Sequence, residues 1–209
     1  MPRRSKQLAV RDEFLILTNG KQTEKNYFEA IRAHYKSIFK ISVKFMNDDP
    51  VALVNHAIAE KTPRNRVWCV FDKDEFLPAS IDRAMKTAKE NEIGVAFSNM
   101  AFEVWLIDHF EKCYLEKNAE KLVADLDRIL KANEYPAGYS KEDKQMITEV
   151  LMPHLDDAVQ NADIVMQTRI REHKESYHNE NHPFCDWNSF TNVHKLIDAL
   201  KLNKQEEEK

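Results

Sequence analysis

Apolar and polar positions change period along this chain, and the changes mark out its elements. Phe14-Leu15-Ile16-Leu17-Thr18 is a short apolar run closed by the turn dipeptide Asn19-Gly20, which predicts a strand. Tyr27, Phe28, Ile31 and Tyr35 follow at helical spacing, with Thr23 expected as the N-cap. Ile41-Ser42-Val43-Lys44-Phe45 alternates as a half-buried strand does, and Pro50 opens a helix through Leu53, Val54, Ala57 and Ile58. Val67-Trp68-Cys69-Val70-Phe71 is a continuous apolar run ending at Asp72, the pattern of a central parallel strand. A helix opened by Pro78 or Ser80 runs to Asn91, and Gly94 precedes a fourth strand, Val95-Ala96-Phe97. This strand–helix alternation predicts an α/β fold with a mostly parallel central sheet covered by helices.

The second half reads as helical. Helices are predicted over 102–110, around Leu122, Leu126, Ile129 and Leu130, and over about 141–152 and 155–176, with a loop at 134–139. A polar loop at 177–188 leads to a last helix through Val193, Leu196, Ile197 and Leu200, capped by Asn188 or Ser189 and expected to dock on the sheet. The expected organisation is a core over 1–111, a helical insert over 112–187, and a C-terminal helix with an acidic tail over 188–209.

Composition narrows the class. With 209 residues, 43% hydrophobic and only three glycines, the chain is long and apolar enough for one generous core. No apolar run approaches the roughly 20 residues of a membrane span, and the N-terminus lacks the apolar stretch of a secretory signal. Cys69, Cys113 and Cys185 are odd in number and far apart, as free thiols of a reducing cytosol are. A soluble cytoplasmic protein is expected. The net charge of -4 hides a basic lobe: residues 1–45 hold ten of the 31 Lys and Arg but four of the 35 acids. Nucleic acid, if it is the partner, is therefore met locally or with a metal's help rather than by bulk charge.

Ligands of open parallel sheets bind beyond the C-terminal strand ends, and three acidic groups fall there. Glu24 follows the first strand, Asp72 and Asp74 follow the third, and Glu103 follows Ser98-Asn99 at the end of the fourth. Hard carboxylate oxygens at one sheet edge suit Mg²⁺ or Mn²⁺, which can polarise a phosphodiester and activate water. Acids after strands also cap helices or face solvent, and a D-x-D alone is a weak signal. His173, His178, His182 and Cys185 fit no standard zinc spacing. His109 reads equally as a structural or a functional histidine.

Three segments carry a resemblance: Thr18-Asn19-Gly20-Lys21-Gln22-Thr23-Glu24-Lys25-Asn26-Tyr27-Phe28, Phe71-Asp72-Lys73-Asp74, and the run from Ser98 to Phe110. With the closing Asn188-Ser189-Phe190-Thr191-Asn192-Val193-His194-Lys195-Leu196, they resemble the RloB-like family. The resemblance implies a Toprim-like core, a role in prokaryotic defence against phage of the abortive-infection kind, and a Mg²⁺- or Mn²⁺-dependent nuclease. It also implies an ATPase partner of the AbiL type. Under it Glu24, Asp72 and Asp74 are metal ligands, and the same three with Glu103 are catalytic. Asn19, Gly20, Lys21, Lys73, Asn99 and His109 line the substrate site. Asn19 stands where the family's E-G-x-x-T-E motif carries a glutamate, and an amide accepts no proton at neutral pH. A silent nucleic-acid-binding or regulatory subunit is therefore the second reading, and a homo-oligomer is compatible with either.

Overall fold

The computed structural model describes residues 13–36, 39–73, 76–173 and 184–207. Strands β1 (Glu13–Thr18), β2 (Lys40–Phe45), β3 (Asn65–Asp72) and β4 (Gly94–Asn99) alternate with helices α1 (Thr23–Tyr35), α2 (Pro50–Glu60) and α3 (Pro78–Glu90). The sheet order is β2-β1-β3-β4-β5, the first four strands parallel and β5 (Phe190–Thr191) antiparallel to β4. Helices α4 (Glu103–Asp108), α5 (Ala119–Ala132), α6 (Leu155–Glu172) and α7 (His194–Glu207) complete the described chain. It is the expected α/β fold, a mostly parallel sheet flanked by helices, with a C-terminal helix docked on it.

Strand alternation sorts the side chains onto two faces. Phe14, Ile16, Val70 and Ala96 turn to the face covered by α1, α4, α5, α6 and α7. Leu15, Leu17, Val67, Cys69, Phe71 and Phe97 turn to the face covered by α2 and α3. The chain leaves β1 through α1 on one face and reaches β3 and β4 through α2 and α3 on the other. The winding therefore reverses between β1 and β3, which is where an open sheet forms a crevice at its C-terminal edge. Helices α5 and α6 share the first core with α1, so Leu122, Leu126 and Ala158 pack in one cluster with Tyr27 and Phe28.

Local chemistry sets the boundaries, in places against expectation. Asp49 caps α2, its carboxylate accepting from the amides of Val51 (2.8 Å) and Ala52 (3.1 Å), with Pro50 next in line. Thr23 is not an N-cap: it already lies in the first turn of α1 behind Gln22, and its hydroxyl is hydrogen-bonded to Tyr139 at 3.3 Å. The helix expected over 141–152 is a π-helical turn, Met146–Leu151, and a 3₁₀ turn, Met152–His154. Pro153, having no N–H, cannot continue an α-helical ladder there.

Asn188 and Ser189 do not cap the last helix, which begins at His194. Asn188 instead donates to the Lys117 carbonyl (3.0 Å) and Ser189 to that of Leu115 (2.8 Å). β5, which the sequence left undetected, covers the edge of β4: the Ser98 and Thr191 hydroxyls pair at 2.9 Å, and the Asn192 carboxamide oxygen accepts from the Phe97 amide at 2.6 Å. His178 and His182 lie outside the described residues. Among the described residues, no helix is long and apolar enough to cross a membrane.

Leu196 of α7 and Ile16 of β1 are both fully buried in the same cluster. Leu196→Ala and Ile16→Ala are each expected to lower the unfolding free energy by about 2–5 kcal/mol in urea titrations. A loss under about 0.5 kcal/mol for Leu196→Ala would show that α7 is not part of the cooperative core.

Candidate active site at the sheet's C-terminal edge

The ends of β1 and β3 lie side by side, and the Asn19 amide donates to the Val70 carbonyl across them at 3.2 Å. β1 delivers Asn19, Gly20 and Lys21, then Glu24 in the first turn of α1; β3 delivers Asp72; the chain beyond β4 delivers Glu103 in the first turn of α4. A carboxylate in the first turn of α1 faces the positive end of the helix dipole.

Two adjoining hollows open at this edge. One, of about 410 Å³, is walled by Glu24, Asp72 and Glu103 with Thr23 and Lys141. The other, of about 340 Å³, is walled by Asn19, Gly20, Lys21, Asp48 and again Glu24, Asp72 and Lys141. Glu24 and Asp72 thus belong to both.

Glu24 is nearly buried, and Gly20 is what gives it room. A Cβ built on Gly20 would fall inside the Glu24 carboxylate, so any larger residue there forces the acid to move. Glu103 is buried as well, its side chain 4% exposed. A carboxylate so enclosed needs donors. Tyr139 donates to its Oε1 at 2.6 Å, and the Lys141 ammonium lies 3.6 Å from the same oxygen. Burial and the neighbouring Glu103 raise the Tyr139 phenol, which therefore stays protonated and remains the donor.

Tyr139 and Lys141 arrive on a strap over 134–145, between α5 and the π turn. The strap is built to present them. The Tyr139 amide donates to Asp127 at 3.0 Å, the Tyr135 hydroxyl donates to Asp143 at 2.7 Å, and Asp143 accepts the Met146 amide at 3.0 Å. Gly138 has φ +72°, a left-handed conformation that disfavours side chains. The Gln22 carboxamide donates to Glu142 at 2.5 Å and that of Asn26 to the Lys141 carbonyl at 3.4 Å, docking the strap on the start of α1. Neither Tyr139 nor Lys141 was found by sequence reasoning. The Tyr135-Pro136-Ala137-Gly138-Tyr139 loop carries no motif, and the Glu103 that Tyr139 and Lys141 meet lies more than 30 positions away.

Of the residues expected at the site, Asn19, Gly20, Lys21, Glu24, Asp72 and Glu103 line the two hollows. Asp74 lies outside the described residues. Three others are placed elsewhere. Lys73 donates to the Cys185 carbonyl at 2.9 Å, and the buried Asn99 carboxamide donates to the carbonyls of Phe184 (3.0 Å) and Cys185 (2.7 Å). These two side chains fasten the 184–185 segment instead of facing the cleft. His109 is fully buried in the core, 3.1 Å from the Tyr27 hydroxyl and 3.0 Å from the Trp105 carbonyl, under a separate hollow.

The donor chemistry fits a hard divalent cation. Such an ion is usually held by one or two carboxylates, with water and substrate oxygens completing its shell. Among the described residues no group of three His, Cys, Asp or Glu side chains is placed to hold a metal ion by itself. Glu24 and Asp72, shared by both hollows, are the pair suited to it. Nucleophilic thiol chemistry finds no support: the three cysteines are free and buried, and burial pushes Cys69 up to about 12 and Cys113 and Cys185 to about 11.

Burial lowers both His109 and His194 to about 4 from an ordinary 6.5. The folded protein thus excludes protons that the unfolded chain takes up. The contribution of these two histidines to stability is complete above about pH 6.5 and falls as the pH drops from there toward about 4. In urea unfolding at about pH 7 and about pH 5, His109→Gln is expected to show a smaller acid loss than wild type; an unchanged loss would contradict this placement of His109.

No curated protein and no solved structure matches the chain. The family model described as RloB-like protein matches residues 14–200, a span that begins in β1, ends on the buried face of α7 and takes in every cleft residue named above. The chain belongs to the RloB-like family.

Proposed function

We propose that this chain is a Mg²⁺- or Mn²⁺-dependent nuclease, hydrolysing phosphodiester bonds of DNA or RNA in prokaryotic anti-phage defence. The observation that carries the reading is the meeting of Glu24, Asp72 and Glu103 around one cleft at the crevice where the sheet's winding reverses. Membership of the RloB-like family supports the same reading.

In it, Glu24 and Asp72 would hold the cation, with Asp74, two positions on in the sequence, as a further ligand. A bound Mg²⁺ or Mn²⁺ supplies Lewis-acid polarisation of the phosphodiester and lowers the pKa of an attacking water. Glu103 receives the water's proton. Tyr139 occupies its Oε1, so Oε2 is the accepting atom. Lys21, exposed at the rim, offers its charge to a substrate phosphate. Asn19, at the mouth of the second hollow, donates its carboxamide N–H to a substrate oxygen in the place of the motif's glutamate. An ATPase partner would supply the trigger that a defence nuclease needs.

One observation favours a second reading. With an amide at position 19, the site has one acid fewer than the family motif, and a subunit that binds nucleic acid without cutting it fits that deficit.

A cleavage assay with Mg²⁺ or Mn²⁺ and a panel of DNA, tRNA and total RNA separates the two. The nuclease reading predicts cutting by wild type that chelation stops and that Asp72→Ala reduces by at least about 100-fold. Wild type that is inert while Asn19→Glu cuts would establish the silent subunit instead.

A further inference from the structure

Glu103 has two partners, both supplied by the strap over 134–145, and they are of different kinds. Tyr139 is a neutral donor from a half-buried ring, held in place at 2.6 Å. Lys141 is a cation on a flexible stem, 57% exposed, at 3.6 Å from the same oxygen. A neutral hydrogen bond orients a carboxylate without cancelling its charge, whereas an ammonium cancels charge and can swing away into water at little cost. Lys141 also lines both hollows, as Glu24 and Asp72 do, so its charge shares the cleft with all three acids.

We propose that Lys141 is a built-in counterion of the cleft. In the metal-free protein it neutralises Glu103 within a wall of three carboxylates, and a divalent cation entering the cleft displaces it while Tyr139 keeps Glu103 in place. The inference rests on the reading of the cleft as a cation site. It adds what that reading lacks: a charged group of this chain that competes with the cation and is released when the cation binds. Two positive charges placed beside Lys141 repel its ammonium, and the attraction that Glu103 gave to Lys141 passes to the ion. Cation affinity is therefore lower than the carboxylates alone would set, by the strength of a partly exposed ion pair. The released ammonium stays at the rim, where a phosphate of an approaching polyanion can take it up.

The test is Mn²⁺ binding to the full-length protein by calorimetry, comparing wild type with Lys141→Gln, Lys141→Arg, Lys21→Gln and Asp72→Asn. Lys141→Gln is expected to bind Mn²⁺ about three- to fivefold more tightly than wild type, and Lys141→Arg about as wild type does. Lys21 lines the second hollow but has no part in the Glu103 pair, so Lys21→Gln should gain less than about twofold, the share owed to the general field. Binding that Asp72→Asn abolishes but Lys141→Gln leaves unchanged or weakened would overturn the counterion and leave the cation site standing. A gain in Lys21→Gln equal to that in Lys141→Gln would also overturn it, reducing the effect to net charge. Mn²⁺ bound by none of the proteins would overturn both the counterion and the cation site.

Discussion

A carboxylate taken out of water must be given donors, and the hydrogen bond from Tyr139 to Glu103 is where this protein meets that requirement. Glu103 comes from the sheet core and Tyr139 from the strap that follows α5. The same phenol hydroxyl also meets Thr23 in the first turn of α1, so three segments converge on one oxygen. The Tyr139 amide donates to Asp127 of α5 and the Tyr135 hydroxyl donates to Asp143 within the strap, and these two bonds fix the segment that carries the phenol. The strap over 134–145 is therefore a wall of the cleft.

The sheet supplies the rest by topology. Because the chain winds outward from β1 to β2 on one face and returns to β3 and β4 on the other, no connection crosses the gap beyond β1 and β3. Glu24 and Asp72 arrive at that gap from the two neighbouring strands. Gly20 then settles where the Glu24 carboxylate sits, since a side chain at position 20 would occupy the same space and displace it. β5 closes the opposite edge of β4, and Asn99 and Lys73 spend their donors on the Phe184 and Cys185 carbonyls beside it. Polar residues of one strand end thus divide between building the cleft and fastening the chain next to it.

That division explains what the sequence made legible. The four parallel strands, α2, α3 and the carboxylates Glu24, Asp72 and Glu103 were readable because apolar periodicity and position at a strand end are local signals. Lys73, Asn99 and His109 were placed at the site by proximity along the chain, yet successive side chains of an extended segment point to opposite sides, and Lys73 follows Asp72 directly. His109, six positions beyond Glu103, turns into the aromatic packing around Tyr27 and Trp105. A two-residue strand such as β5 has no periodicity to read, and it exists because β4 needs an edge partner more than 90 residues away. Tyr139 and Lys141 were invisible for the same reason. Their role comes from a contact across 36 or more positions, which no motif in the Tyr135–Tyr139 loop encodes.

The proposed divalent-cation site lies in the cleft between the ends of β1 and β3, at Glu24 and Asp72. The most direct measurement is a crystal grown or soaked with Mn²⁺ and examined by anomalous diffraction. A peak is expected within carboxylate-ligand distance of Glu24 and Asp72, at roughly 2.0–2.4 Å from their oxygens, and is expected to vanish in Asp72→Asn. Anomalous density found only elsewhere on the protein, with Glu24 and Asp72 ordered and bare, would contradict it.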